Sequence, residues 1–379
     1  MMKLRQFVLT IHSSIGIFIG LLLVVMGLTG SLLVFHETVE HATNPAVMEV
    51  VPEGEMLPID TLMESLQASL PGDRLRSITI PKAADEPYVF WLSSEEEQSS
   101  SLYVNPYTGA VLGSWNFDRT VTGFLLRLHY TFLAGTPGEF LAGTCGVLMM
   151  VLGITGIILW PGWKNLKAGF KLRWGSAKQL LSYDLHKVTG VFFSLVLVLL
   201  GFTGTVIVLL HHVEPLLALI IGAPPEKAEL PALPANAKPL SFGELLQRTE
   251  ETLPGGKAIS ISFSGEDKRE VQVRLAFPED PIPDIPLSNV SLDRFTGKVL
   301  SQQKTVQWTP GLRLGQFLLN FHFGRFWGVT SQVIYAIAGL TPTLFFVTGF
   351  VLWQKQRRQK ARKQEAQQQK VMSKSLKQV

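Results

Sequence analysis

The stretch Leu9-Thr10-Ile11-His12-Ser13-Ser14-Ile15-Gly16 stands near the start of a long apolar segment and places a histidine one helical turn before a glycine. The stretch Ser182-Tyr183-Asp184-Leu185-His186-Lys187-Val188-Thr189-Gly190 repeats that spacing in the middle of the chain. Each histidine is followed 15 residues later by a second glycine, Gly27 or Gly201, and both glycines lie within about 60° of their histidine around a helix. We therefore predict two helices that each carry a histidine on a face short of side chains, which suits a flat macrocycle.

The chain has many apolar residues and few charges for its length of 379 residues: 46% are hydrophobic and 17% are charged. That balance indicates a membrane protein rather than a soluble globular one. Four uncharged runs each reach the roughly 20 residues that a helix needs to cross a bilayer, namely Phe7–Phe35, Phe140–Trp160, Val188–Val213 and Phe326–Trp353. We predict a membrane α-helical bundle of four transmembrane helices with two large loops.

Basic residues are distributed unevenly between the segments that join these helices. The N-terminus, the loop between the second and third helices and the C-terminal tail hold 17 of the 34 lysines and arginines but only two acids, Asp184 and Glu365. The two long loops hold the other 28 acids. By the positive-inside rule, both termini lie in the cytoplasm and both long loops are exported. The basic tail is explained by topology and by contact with anionic membrane lipid, so no nucleic acid is implied.

These runs set the predicted organisation of the chain. Transmembrane helices occupy 1–36, 138–160, 188–213 and 326–353, and exported domains occupy 37–137 and 214–325. A cytoplasmic loop, 161–187, and a basic cytoplasmic tail, 354–379, account for the rest.

Short stretches of the first half recur in the second half in the same order. The stretch Gly27-Leu28-Thr29-Gly30 corresponds to Gly201-Phe202-Thr203-Gly204, and Thr155-Gly156 corresponds to Thr348-Gly349. The spacing between copies grows steadily along the chain, from 174 to 193 residues. Internal duplication followed by loop insertions predicts this pattern. Since both copies begin in the cytoplasm, they are expected to be parallel repeats about an axis along the membrane normal.

Each long loop begins with an amphipathic helix and continues with four short strands. The helices are predicted over Pro58–Leu70 and Ser241–Leu253, and the strands near Leu75–Ile80, Pro87–Leu92, Ser101–Val104, Ala110–Trp115, Ala258–Phe263, Val271–Phe277, Asn289–Leu292 and Lys298–Ser301. The turn before the last strand reads Asn105-Pro106-Tyr107-Thr108-Gly109 in one loop and Asp293-Arg294-Phe295-Thr296-Gly297 in the other. These turns resemble those of the PepSY domain, so each loop is expected to be an α+β PepSY-like domain.

Seven of the eight histidines stand at the ends of the predicted spans, which is a strong bias for a residue that is costly in lipid. His12 and His186 begin spans one and three, and His129 and His322 precede spans two and four among aromatic residues. A single histidine at a helix end is usually an interfacial residue or a cap. Because the pattern recurs in both halves, we predict that these four histidines bind a metal cofactor.

A third set of histidines lies at the far ends of spans one and three. His211 follows His186 by 25 residues and returns to nearly the same helix face, whereas His36 points about 120° away from His12. His211 is therefore the better additional ligand candidate, and His36 and His212 are the weaker ones.

The choice of cofactor follows from what accompanies the histidines. Imidazole also binds zinc, but no cysteine set and no carboxylate recurs beside the histidines in both halves. Opposed imidazoles, aromatic packing and close backbone approach favour bis-histidine haem b. The rise from His12 to His36 along a helix is about 36 Å, so at least two haem b groups are expected. The Thr-Gly pairs present in all four spans are predicted to pack helices, with contact to a porphyrin as the alternative.

The four spans, the two PepSY-like loops and the histidines together resemble the PepSY-associated transmembrane family of iron-regulated inner-membrane proteins, over roughly Leu4–Trp353. The most specific marks are the two His-x-x-x-Gly stretches, the two Thr-Gly turns and the Leu-Trp ends of spans two and four. The resemblance implies a bacterial inner-membrane protein with two b haems that reduces ferric siderophores of the hydroxamate type at the periplasmic face and releases Fe(II). Aromatic residues near that face would contact haem or ligand, namely Tyr130, Phe323, Phe326 and Trp327.

Motifs for a nicotinamide, a nucleotide phosphate or a serine nucleophile are missing from the sequence. A redox protein of this kind therefore takes electrons from a partner, either a quinol or a cytoplasmic reductase. Two other classes of function stay open: a non-enzymatic regulator whose PepSY loops bind protein partners, and a carrier that moves siderophore or iron inward. The four uncharged runs contain no acidic residue that would couple such a carrier to protons.

Overall fold

The computed structural model describes residues 2–66, 75–92, 100–210, 229–230, 232–233, 237–264, 268–280, 288–305 and 310–376. The chain divides into two compact units, which we call the helical unit and the sheet unit. The helical unit comprises 1–34, 126–212 and 321–379, and the sheet unit comprises 35–125 and 213–320. The helical unit therefore contains the predicted spans, and the sheet unit contains most of the two predicted exported loops.

Among the residues that the structure describes, four helices are long and apolar enough to cross a membrane, as the sequence predicted. In chain order the described helices are α1 (Met2–Leu33), α2 (His36–Thr43), α3 (Pro45–Met48), α4 (Ile59–Leu66), α5 (Val121–Thr131), α6 (Gly135–Leu159), α7 (Leu166–Phe170), α8 (Lys178–Leu210), α9 (Phe242–Thr252), α10 (Pro310–Phe323) and α11 (Val329–Leu376). The four candidate spans lie within α1, α6, α8 and α11. The basic tail continues α11 as helix to Leu376.

Glycines let the membrane helices approach each other closely. A side chain at Gly27 on α1 would strike the carbonyl of Gly339 on α11. A side chain at Gly201 on α8 would lie 2.6 Å from the carbonyl oxygen of Gly146 on α6. The expectation that Gly27 and Gly201 leave room for a macrocycle is therefore wrong, because both are occupied by helix packing.

The described part of the sheet unit contains eight antiparallel strands in one sheet, and all eight match strands predicted from the sequence. They are β1 (Leu75–Thr79), β2 (Tyr88–Leu92), β3 (Ser100–Val104), β4 (Val111–Asn116), β5 (Lys257–Ser264), β6 (Glu270–Ala276), β7 (Ser288–Asp293) and β8 (Val299–Gln303). The strand order is β4-β3-β2-β1-β5-β6-β7-β8. The β1 and β5 strands pair with Ile78 opposite Ile261, so the two predicted loop modules share one continuous sheet.

The core of the sheet unit is formed by the sheet and by two helices. Leu62 of α4 and Leu245 of α9 are fully buried with Ile78, Phe90 and Ile261 of the strands. Apolar and polar residues alternate along the strands, so the apolar residues lie together on one face of the sheet, and that face is covered. The sequence predicted one helix at the start of each loop, and these two helices, α4 and α9, cover the apolar face of the sheet.

The N-terminus of α9 is capped from two directions. Ser241 forms a capping box with Glu244, in which the Ser241 hydroxyl accepts from the Glu244 amide and the Glu244 carboxylate accepts from the Ser241 amide. The Asp60 carboxylate of α4 also accepts hydrogen bonds from the amides of Phe242, at 2.7 Å, and Gly243, at 2.9 Å. These acceptors satisfy amides that a helix leaves unpaired at its start.

The two Asn/Asp turns have the same geometry. Asn105 Oδ1 accepts from the amides two and three residues later, and Asp293 Oδ1 does the same in the second turn. Gly109 and Gly297 close these turns at φ of +72° and +66°, a region that favours glycine. The repeated turn sequence thus reflects a repeated local structure.

Candidate metal centres

His12 of α1 and His186 of α8 lie side by side within the helical unit. Their ring centres are 6.1 Å apart, and their planes are inclined at 79°. The Phe345 ring packs against His186 at a centre-to-centre distance of 5.2 Å. The sequence predicted both histidines as ligands and left their pairing open, and the structure brings the two together.

His129 and His322 form a second pair in the same unit. They stand in the last turns of α5 and α10, and their ring centres are 6.4 Å apart with planes inclined at 55°. Each pair therefore takes one histidine from each half of the chain. The distance between ring centres within each pair is nearly the same.

Each of the four rings hydrogen-bonds through Nδ1 to a threonine hydroxyl on a membrane helix. The pairs are His12 with Thr155 at 2.8 Å, His186 with Thr348 at 2.8 Å, His129 with Thr29 at 3.0 Å, and His322 with Thr203 at 2.9 Å. These threonines are the first residues of the four Thr-Gly pairs. Sequence reasoning predicted helix packing for them and missed this contact, although the signal was present as four Thr-Gly pairs for four histidines.

The hydrogen-bond directions assign the proton on each ring. Each threonine Oγ1 lies 2.6 to 2.9 Å from the carbonyl oxygen four residues earlier, which can only accept, so the hydroxyl proton is directed there. The threonine oxygen is then free to accept from the histidine. His129 Nδ1 also lies 2.9 Å from the Met26 carbonyl oxygen, which requires a proton on Nδ1. Nδ1 therefore carries the proton, and Nε2 keeps the lone pair that binds metals.

The glycine of each Thr-Gly pair leaves room for the imidazole. A Cβ added at Gly30 or Gly204 would lie 3.0 or 2.9 Å from Cε1 of His129 or His322. At Gly156 and Gly349 the corresponding distances to the rings of His12 and His186 are 3.5 and 3.7 Å. The rings of the second pair are therefore seated more tightly than those of the first.

A cavity of about 590 Å³ lies beside the first pair. His12, His186, Gly16 and Gly190 line it, and a Cβ added at Gly190 would meet nothing within 4 Å. The walls are mainly apolar, as in cofactor sites that bury most of their ligand. The glycines one turn after each histidine therefore lie on the cavity wall, and the macrocycle that this face was expected to accommodate stays a prediction.

The ring separation in both pairs matches the separation expected for two imidazoles bound to one metal ion. A metal–imidazole bond of about 2.0 Å, plus about 1.1 Å from that nitrogen to the centre of its ring, puts two opposed rings about 6.2 Å apart around one ion. The observed separations are 6.1 and 6.4 Å. Within the described residues, no cluster of three or more His, Cys, Asp or Glu side chains is placed to hold a metal ion. Paired imidazoles are the protein ligands that a bis-histidine haem b would need, and that cofactor stays a proposal.

A buried ion-pair cluster lies two residues before His186. The Asp184 carboxylate is fully buried and accepts from Arg173 Nε and Nη2, both at 2.7 Å, and from Lys187 Nζ at 2.9 Å. The hydrogen bond to Asp184 raises the pKa of the Arg173 guanidinium. The cluster ties the segment before α8 to the helix that carries His186, and Lys187 also lines the cavity.

The remaining histidine candidates are placed differently. His36 is the first residue of α2 in the sheet unit, and its Nε2 is 3.9 Å from Glu37 Oε1. The α1 helix ends at Leu33, before His36, so His36 does not end the first span as the sequence predicted. His211 and His212 lie outside the described residues. A ligand role for His36 or His211 stays a prediction.

Comparison with known proteins identifies the family to which this chain belongs. The family model of the PepSY-associated TM region matches residues 9–356, which is most of the chain. The chain belongs to this family. An uncharacterised protein of Pseudomonas aeruginosa is 26% identical over 258 residues, which cover 62% of this chain and 63% of that protein. The matched region thus spans slightly less than two thirds of that relative's length. The family assignment matches the resemblance seen in the sequence.

Proposed function

We propose that this protein is a di-haem b electron-transfer protein of the bacterial inner membrane that reduces ferric hydroxamate siderophores at the periplasmic face. As part of this proposal, we take the sequence to be similar to FoxB, the siderophore reductase of the ferrioxamine system. The observation that carries the proposal is the presence of two histidine pairs, each spaced for one ion. Each ring has its Nδ1 proton donated to threonine, which leaves Nε2 available as a ligand atom.

His12 and His186 would hold one haem, and His129 and His322 would hold the other. When bound, each haem supplies a one-electron Fe(III)/Fe(II) couple. His12 and Thr29, the partner of His129, are 17 residues apart on α1, which corresponds to about 26 Å along the helix axis. Two centres at that spacing would lie near the two edges of the roughly 30 Å of hydrocarbon, so that one transfer between them would carry the electron across most of the membrane.

The orientation proposed from the basic residues puts the first pair near the cytoplasm and the second near the periplasm. The donor would be a quinol or a cytoplasmic reductase, and the acceptor would be the siderophore-bound Fe(III) outside. One electron converts that Fe(III) to Fe(II), for which hard hydroxamate oxygens are a poorer match, so the iron is released. The equivalent contacts of the two halves support the proposed internal duplication.

Aromatic side chains beside His322 are candidates for the contact with the acceptor. Phe323 lies 6.1 Å from His322 between ring centres, and Phe321 stacks on Phe326 at 5.4 Å. Trp327 packs on Phe326 at 5.2 Å and is 71% exposed. An exposed tryptophan five residues after the ligand histidine, packed on Phe326, would give a siderophore a surface close to the second haem.

The proposal is tested by reducing the purified, haem-loaded protein in nanodiscs and adding ferrioxamine, with an Fe(II)-specific chelator to trap the product. We expect Fe(II) to form at up to one equivalent per reduced haem. His129→Ala and His322→Ala should abolish this reaction, whereas His41→Ala, which changes an exposed histidine of the sheet unit, should leave it unchanged. Reduced wild-type protein that yields no Fe(II), or pair variants as active as His41→Ala, would contradict the proposal.

A further inference from the structure

We infer that Thr29, Thr155, Thr203 and Thr348 are positioning residues that fix the tautomer and orientation of the four histidines and set the redox balance of the iron that they bind. This inference rests on the proposed function, which it extends to residues outside the ligand set. The same hydrogen bond occurs four times, because each of the four histidines bonds a different threonine at 2.8 to 3.0 Å.

Helix packing alone does not account for these contacts. A threonine in an apolar helix commonly bonds a carbonyl of its own helix, as Thr341 does with Ala338 at 2.6 Å. The four positioning threonines make that same local bond and also accept from a histidine on another helix. The local bond orients the hydroxyl so that only its oxygen faces the imidazole.

The backbone reinforces the same proton position. His129 Nδ1 is within 2.9 Å of the Met26 carbonyl, three residues before Thr29. The rings of His12 and His322 likewise face the backbone of Leu152 and Leu200, again three residues before their threonines. These three rings thus donate from Nδ1 toward one turn of helix, and His186 donates toward Thr348. The imidazole is held with Nε2 directed away from that turn.

This arrangement has an electronic consequence. A hydrogen bond donated from Nδ1 makes Nε2 a more basic ligand, and a more basic ligand stabilises Fe(III) over Fe(II). Loss of the acceptor should therefore favour the reduced state. Outer-shell partners of metal-bound histidine typically change metal affinity by about 10- to 100-fold. A tenfold change in the Fe(III)/Fe(II) balance corresponds to about 59 mV in a one-electron couple.

The test is a redox titration of the purified, haem-loaded full-length protein with Thr155→Val, Thr155→Ser and the control Thr341→Val. Valine keeps the shape of threonine without the hydroxyl, and serine keeps the hydroxyl. We expect Thr155→Val to shift the equilibrium of one haem about tenfold toward Fe(II), and Thr155→Ser to restore the wild-type value. Thr341→Val should leave both haems unchanged. Thr348→Val acts on the opposite ring of the same pair and should give a similar shift if Thr155→Val accumulates poorly.

Two results would overturn the inference. In the first, the valine variants titrate like Thr341→Val. In the second, Thr155→Ser shifts as far as Thr155→Val, which would make side-chain volume rather than the hydroxyl responsible. A wild-type protein without haem would instead refute the proposed function, so the two failures are distinguishable.

Discussion

Replacement of Gly204 by alanine should disturb one histidine pair selectively. The new methyl carbon would lie 2.9 Å from Cε1 of His322, whereas carbon atoms pack favourably at about 3.5 to 4.0 Å. The ring must therefore move by roughly 0.6 to 1 Å. A shift of that size lengthens the 2.9 Å bond to Thr203 and moves Nε2 away from its partner across the pair. Ligand geometry generally tolerates errors of about 0.5 Å.

Gly349 provides the matched control, because a methyl group there would lie 3.7 Å from Cε1 of His186, which is ordinary contact. Both changes put alanine into a membrane helix and raise helix propensity by about 1 kcal/mol, so helix formation does not distinguish them. We expect Gly204→Ala to weaken retention of one haem by about 10- to 100-fold and Gly349→Ala to retain both.

The assay is haem content per chain after purification, measured with reduced-minus-oxidised spectra. Fluorescence-detected size-exclusion chromatography checks that both variants are folded. Gly30→Ala, with its methyl carbon 3.0 Å from the His129 ring, should behave like Gly204→Ala. Equal haem loss from Gly204→Ala and Gly349→Ala, or full retention by Gly204→Ala, would refute the reasoning.

Three further predictions concern stability and orientation. Asp184→Asn leaves two cations beside a buried amide and should cost about 3 kcal/mol, seen as a lower thermal midpoint of the detergent-solubilised protein. Ser241→Ala removes the capping box and should cost about 1 kcal/mol, or roughly fivefold faster amide exchange in α9. In intact cells with a permeable outer membrane, a membrane-impermeant maleimide should label Glu53→Cys but not Lys360→Cys. The native Cys145 is buried and should give no background labelling. The reverse pattern would show that the topology is inverted.

Much of the fold follows from the sequence, since its elements have strong local signals. The apolar runs predict the four long helices, and period-two alternation predicts all eight strands to within a few residues. The joining of β1 to β5 was not predictable, because each module has two edge strands and nothing local specifies which edge of one module meets the other. Sheet pairing between distant segments depends on tertiary packing.

The candidate site was predicted in part. His12, His186, His129 and His322 stood out because their positions recur, but spacing along one helix does not determine which rings meet across helices. Gly27 and Gly201 lie on the same side of their helices as the histidines. Each is, however, about 22 Å along the helix from its histidine and contacts another helix rather than a cofactor. The threonines were missed because their contact joins residues at least 100 positions apart in sequence.

The central claim is that paired imidazoles from the two halves each hold one haem. The most direct measurement is haem per chain in protein purified after haem-replete expression, for the wild type, His12→Ala with His186→Ala, and His129→Ala with His322→Ala. Two haems in the wild type and one in each double variant are predicted, with the remaining haem spectrally distinct between the two variants. A colourless wild type, or double variants that keep both haems, would contradict the account.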